Sequence, residues 1–288
     1  MSTSVEMDLE LARRHAAEID AAAKLRRSVP VRCAFAADRS GVAGTMLATL
    51  VGSGGRGGEV PLKLYLALIW KCSKAPFNVA IPARKWAELL ALPDPSGRGA
   101  RRVSEAIKTL EAHRLVRVER SRGDVPIVTV LHETGTGQEY EPPKGRGPEE
   151  QYFQVPASLW VGGDIQQMST PALAMLLAVA SEQGKPGSAV WWSTEQFPAR
   201  IGLSAPTRAR GTKELVERGL LNVKRQPLSS APDRSFTRER VRSVYHLTGS
   251  ALLSSGETVV KKATGHIRRR RVKKVVVPAA NRSGRTAG

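Results

Sequence analysis

Leu62, Tyr65, Leu66 and Ile69 recur at i, i+3, i+4 and i+7, the spacing that lines one face of an α-helix with apolar side chains. Pro82 suits a first helical turn, and Trp86, Leu89 and Leu90 follow it at helical spacing. The stretch 92-LPDPSGRG-99 is a turn-rich break, after which Val103, Ala106, Ile107 and Leu110 predict a third helix. Leu115–Arg120 and Val125–Leu131 are rich in β-branched residues and are joined by 121-SRGD-124, a hairpin signal. About a hundred residues later the pattern returns. Thr170 is the expected N-cap, with Pro171 at the first helical position, of a helix carrying Leu173, Leu176, Leu177 and Ala180. Ser193 and Gln196 have capping-box spacing before a second helix through Phe197 and Ile201. Pro206 fits the first turn of a third, which carries Thr212, Leu215 and Val216. Leu220–Arg225 and Val241–Leu247 are the expected strands, on either side of a polar loop, 226–240.

Both halves therefore read helix, helix, helix, strand, strand. Leu110, Leu115, Val118 and Arg120 correspond to Leu215, Leu220, Val223 and Arg225, all at an offset of 105, whereas Leu92 and Leu203 are 111 apart. The first copy thus has six more residues before its third helix. The segment 152-YFQV-155 is expected to open the second copy as a short strand. Of Trp191 and Trp192, one is expected buried and the other half-buried in a short strand; a base-stacking platform is the less favoured reading.

Outside the two copies the pattern weakens. Residues 5–27 are rich in Ala, Glu, Leu and Arg and predict a helix with a thin apolar face, an arm or a partner helix. The run 52-GSGGRGG-58 reads as a hinge, because it lacks the Gly-Lys-Ser/Thr ending of a phosphate-cradling loop. Residues 134–150, TGTGQEYEPPKGRGPEE, show no periodicity and read as a linker. The expected organisation is an arm and Gly-rich linker at 1–58, a first module at 59–133, the linker at 134–150, a second module at 151–250, and a basic, flexible tail at 251–288.

Charge sharpens this picture. The 288 residues hold 45 Lys and Arg against 26 Asp and Glu, a formal charge of +19. Residues 257–288 contribute ten cations against Glu257, a net of +9, which leaves +10 on the rest. An excess of this size points to a polyanionic partner, nucleic acid before a membrane surface. Two cysteines, Cys33 and Cys72, and scattered histidines give neither a disulfide framework nor a zinc site. No apolar run approaches the length of a membrane span, and 1-MSTSVEMDLELARR-14 has no apolar core of a secretory signal. These features fit a cytoplasmic protein, associated with the nucleoid if it binds DNA, and the Ala, Arg and Gly bias fits a GC-rich bacterium.

Three helices followed by a hairpin, with a basic third helix and a basic hairpin, resemble the winged-helix family of DNA-binding domains. The stretches 100-ARRVSEAIKTLEAHRLVRVERSRGD-124 and 205-APTRARGTKELVERGLLNVKR-225 carry the resemblance, which covers both modules. It implies an α+β, mostly α fold: two tandem winged helix-turn-helix domains whose third helices enter the major groove and whose wings touch the backbone or minor groove. Helix geometry turns Arg101, Arg102, Glu105 and Lys108 outward if Val103, Ala106, Ile107 and Leu110 face the core, and likewise Thr207, Arg208, Arg210 and Lys213. Arginine can pair bidentately with guanine, and both cations neutralise phosphate. Glu105 reads as an i, i+3 partner of Lys108 in preference to an acceptor for cytosine.

The candidate DNA-binding residues are Arg98, Arg101, Arg102, Lys108, Arg120 and Arg122 in the first module. In the second they are Thr207, Arg208, Arg210, Lys213, Arg225, Arg234, Arg238 and Arg240. Arg268, Arg269, Arg270 and Arg271 in the tail would add salt-sensitive affinity. No catalytic residue, metal ligand or cofactor is assigned: histidines 15, 113, 132, 246 and 266 form no His-x-His pair, and no Walker A, H-E-x-x-H or G-x-S-x-G motif occurs. The tandem arrangement resembles theta-type plasmid replication initiators, which bind repeated origin sequences. A transcriptional regulator on one operator, a protein-interaction scaffold and a non-specific packaging protein are the alternatives. Double-stranded DNA is the expected partner, with a homodimer or the replication or transcription machinery as further partners left open.

Overall fold

The computed structural model describes residues 2–22, 27–38, 44–52, 58–185, 187–227 and 241–252. It begins with α1 (Ser2–Ala22), β1 (Ser28–Arg32), α2 (Cys33–Ala36) and α3 (Met46–Gly52). The first repeated group follows: α4 (Glu59–Lys71), β2 (Asn78–Val79), α5 (Ala83–Leu89), α6 (Ala100–Ala112), β3 (Val116–Glu119) and β4 (Ile127–Val130). Then come β5 (Tyr152–Pro156), α7 (Ser158–Val161) and α8 (Asp164–Gln167). The second group is α9 (Thr170–Glu182), β6 (Val190–Trp191), α10 (Gln196–Ile201), α11 (Ala205–Glu217), β7 (Leu221–Pro227) and β8 (Val241–Leu247). The fold is α+β, with helices predominating and the strands in small antiparallel sheets.

The two groups share a topology. Each is helix, strand, helix, helix, strand, strand, and each sheet places its last strand in the middle, β2-β4-β3 and β6-β8-β7. The turn after the third helix repeats atom for atom at the offset of 105. Leu115 N–H donates to Leu110 O and Leu220 N–H to Leu215 O, both at 2.9 Å. The residue before each leucine is left-handed, Arg114 at φ 55° and Gly219 at φ 69°. Glycine adopts that conformation freely, whereas arginine does so against its Cβ. Leu131 N–H then returns to Leu115 O and Thr248 N–H to Leu220 O, again both at 2.9 Å.

Several local expectations change. The N-cap of α9 is Ser169, whose Oγ accepts from Ala172 N–H, with Thr170 and Pro171 inside the first turn. The turn-rich break before α6 is itself a helical turn of π type at Pro95–Gly99, capped by the Asp94 carboxylate on Gly97 and Arg98 N–H. The expected one-sided helix α4 is buried all round, from Val60 to Trp70, because it is the central helix of the molecule and not a surface one. Val216 is not a core residue but is 45% exposed. The helix expected at 5–27 spans Ser2–Ala22. The Ser193–Gln196 box is reciprocal, Gln196 N–H to Ser193 Oγ at 3.0 Å and Ser193 N–H to Gln196 Oε1 at 3.2 Å. The expected short strand at Trp191 is present, with Trp191 45% exposed and Trp192 buried.

All described residues belong to one compact unit, and the segments outside the repeats hold it together. β1 pairs antiparallel with β5, from Ser28 opposite Pro156 to Arg32 opposite Tyr152. Val29, Val31, Phe153 and Val155 of this ribbon are buried. Trp70 of α4 stacks on Trp160 of α7 with ring centroids 5.7 Å apart. The α2–α3 region grips α10: Asp38 N–H donates to Arg200 O at 2.7 Å, and Thr45 Oγ1 to Ile201 O at 2.8 Å. At the end of β1, the buried Arg32 guanidinium holds the buried Glu133 carboxylate, Glu150 Oε1 at 3.0 Å and Glu141 O at 2.8 Å. Residues 134–150 form no helix or strand, yet Arg32 fixes them at Glu141 and Glu150. The centre of the hinge run, 53–57, lies outside the described residues.

Candidate nucleic-acid interface

The third helices set out the candidate interface. In α6, Val103, Ala106 and Leu110 are buried while Arg101, Arg102, Ser104, Glu105 and Lys108 are exposed, as the spacing requires. Arg101 and Arg102 have no carboxylate within 4 Å among the described residues. Lys108 does: its ammonium meets Glu105 Oε1 at 2.9 Å, the i, i+3 pair expected from the sequence. Arg98 lies 3.7 Å from Asp94 and is 82% exposed. In the hairpin, Arg120 makes two bonds to Glu111, at 3.2 and 2.7 Å. That bidentate contact draws the Glu111 carboxyl below the ordinary carboxylate range. Arg122 at the hairpin tip is exposed and without a carboxylate within 4 Å among the described residues.

In α11 the outward set divides. Arg210 and Lys213 are exposed, Lys213 within 3.8 Å of Glu217. Thr207 is half-buried, its Oγ1 2.9 Å from Ser204 Oγ at the helix N-cap. Arg208 turns inward instead of out, which corrects the sequence expectation. Its Nε and Nη2 donate to Tyr245 Oη at 3.1 and 3.0 Å. Its guanidinium also lies 4.5 Å from the Phe197 ring centroid and 5.7 Å from that of Trp192. Cation–π contacts of this kind hold the side chain on its own module. Arg225 projects from β7 and is exposed. Arg234, Arg238, Arg240 and Arg268–Arg271 lie outside the described residues.

The structure adds cations that the sequence reading passed over. Lys224 is exposed on β7, and Arg242 on β8 lies 4.8 Å over the Trp191 ring. The two-residue period of 241–247 was the available signal: it puts Arg242 on the face of Val244, whose cross-strand partner is Trp191. Among the described residues, no three metal-ligating side chains form a group that could hold an ion, and no helix is long and apolar enough to cross a membrane.

Two polar clusters stand out, one around the buried Lys63 of α4 and one that ties α11 to the start of α9 through Glu214. The Lys63 ammonium of α4 is buried and meets Glu59 Oε1 at 2.7 Å and Gln166 O at 2.9 Å. Burial lowers its pKa, Glu59 and Glu214 of α11 oppose that, and Arg102 of α6 adds to it. Glu214 in turn accepts from Ser169 Oγ and from Ser169 N–H at 3.0 Å, and from Arg218 Nε at 3.0 Å. Burial raises the Glu214 carboxyl, but these donors outweigh it and leave it below the ordinary range. A carboxylate with a depressed folded pKa contributes stability above the unfolded value of about 4.3 and loses it as pH falls through the folded value. Glu214→Gln should lower thermal stability at neutral pH and make its decline between about pH 5 and pH 3 shallower. Melting curves across that range check both effects.

No protein-family model, no curated protein and no solved structure matches this chain. The functional reading therefore rests on the residues and their geometry.

Proposed function

We propose that this chain is a non-catalytic double-stranded DNA-binding protein built on two winged helices, and that it serves replication by binding repeated origin sequences. α6 and α11 would lie in successive major grooves, with the β3–β4 and β7–β8 hairpins against the flanking backbone. One observation carries the reading: in both copies of one topology, the exposed arginines without a carboxylate partner among the described residues fall on the third helix, the hairpin or the turn that joins them. These are Arg101, Arg102, Arg114 and Arg122 in the first copy, and Arg210 and Arg225 in the second. A solvated helix face needs no such repetition, and arginine in this position suits both guanine edges and phosphates. The β1–β5 ribbon and the Arg32 contacts favour a fixed spacing between the modules, as a reader of evenly spaced repeats requires.

The test is selection of bound fragments from the protein's own replicon at physiological ionic strength with competitor DNA, followed by footprinting. A protected array of short direct repeats is the expected result. A single protected site over a promoter would move the role to transcription, and uniform salt-sensitive binding without a footprint would overturn sequence reading. On the selected site, Arg102→Ala and Arg210→Ala made singly should each cost about 1–3 kcal/mol of discrimination against scrambled DNA. Unchanged discrimination in either variant would remove that helix from base reading.

A further inference from the structure

Beside the N-terminal end of α11 a cleft of about 770 Å3 opens between the end of β6 and the start of β8. Its lining includes Trp191, Trp192, Arg208, Arg242, Ser243 and Tyr245. Two guanidinium groups face it, each seated on aromatic rings, Arg242 over Trp191 at 4.8 Å and Arg208 over Phe197 at 4.5 Å. Arg242 Nε and Nη2 bond to the neutral Gln226 Oε1 at 3.1 and 2.8 Å, and Arg208 bonds to the neutral Tyr245 hydroxyl. Glu195 is the one carboxylate of the lining, and it lies more than 4 Å from both guanidinium groups. The cleft thus keeps two positive charges without an anionic partner among the described residues. Trp191 is a large indole left 45% exposed on an edge strand, although one of its faces already carries Arg242.

An exposed aromatic plane beside unpaired guanidinium groups, in a space of this volume, fits a nucleoside phosphate with its base unpaired. The base would stack on the indole and the phosphate would meet the arginines. A duplex does not present such a group, since its bases are stacked on one another. We propose that this cleft holds an unpaired nucleotide of a single DNA strand, a second nucleic-acid site apart from the outer faces of α6 and α11. The inference rests on the reading of the chain as nucleic-acid-binding and adds strand separation to it: the protein would hold a melted segment next to the duplex it recognises. A free nucleotide has the same chemistry, and the test separates the two sources.

The experiment measures binding of the full chain to oligothymidylate, to thymidine monophosphate and to the selected duplex, with melting temperature as the folding control. Trp191→Ala should weaken oligothymidylate binding about ten-fold while leaving duplex affinity and melting temperature in place. Trp191→Phe should keep most of the single-strand affinity. Arg242→Gln should weaken the same binding and flatten its salt dependence. Oligothymidylate affinity unchanged in Trp191→Ala would overturn the proposal. So would equal loss on duplex and single strand, or tight binding of the monophosphate without the oligonucleotide. Single-strand binding that depends on Trp191 in a protein with no duplex footprint would uphold this site and overturn the duplex-reading function instead.

Discussion

Arg32→Met should lower the unfolding free energy by about 3–5 kcal/mol, the usual cost of removing one partner of a buried ion pair. Arg32 is 1% exposed and Glu133 is fully buried. The guanidinium also satisfies Glu150 and the Glu141 carbonyl. Methionine fills similar volume, so the loss reports charge and hydrogen bonding more than packing. Burial already raises the Glu133 carboxyl, against the pull of Arg32. Without Arg32 it should rise further, so the variant's deficit should shrink as the pH falls from that raised value towards about 4.3 and level off below it, where the unfolded chain binds the proton as well. Urea unfolding at neutral and acid pH measures both effects. Adding Glu133→Gln to Arg32→Met should recover more than half of the neutral-pH loss. A deficit under about 1 kcal/mol in Arg32→Met, the range of a surface pair, would show that the contact is not the anchor described here.

Gly211→Ala should be comparably severe, although alanine is the better helix former by about 1 kcal/mol. A Cβ at Gly211 would lie 2.1 Å from Pro171 O and 2.7 Å from Met175 Cγ. Met175 can rotate away, but a backbone carbonyl in the first turn of α9 cannot without moving the helix. Overpacking typically costs about 1–3 kcal/mol, and a backbone obstacle places this site at the upper end or above. The displacement would fall on α11, so duplex binding should weaken along with stability. Arg210→Ala should weaken binding with no change in melting temperature, which separates loss of scaffold from loss of contact. A Gly211→Ala variant that melts within about 2 °C of the parent chain would contradict the close approach of α9 and α11.

The repeated groups were legible because each is local. Their helices keep a 3.6-residue period, and the leucines that end α6 and α11 sit at a constant offset from each other. The segment 28-SVPVRCAFAA-37 was not legible. It is short, mixes strand and helix, and its partner in β5 is more than a hundred residues away, a separation no window of periodicity spans. α4 misled for a related reason, since a helix surrounded on all sides loses the polar face that marks its register. In the candidate site, the spacing placed Arg101, Arg102, Lys108 and Arg210 on the surface. It misplaced Arg208, because a helix wheel knows only its own helix. Trp192, Phe197 and Tyr245 come from three other places in the chain and together form the aromatic nest that draws Arg208 inward.

The β1–β5 ribbon also constrains how the protein is made. A ribosome delivers the chain from its N-terminus, so α4 through β4 can close on partners already synthesised. β1 cannot, because Ser28–Arg32 has to wait for Tyr152–Pro156. Throughout that interval β1 lacks its partner strand, and Arg32 lacks its acidic partner at Glu150. Association with a holding chaperone should therefore be strongest over this window of synthesis and fall once residue 156 has cleared the exit tunnel. For the same reason, an expression fragment beginning at residue 59 would leave β5 as an open edge, while one retaining residues from 28 onward keeps the ribbon intact.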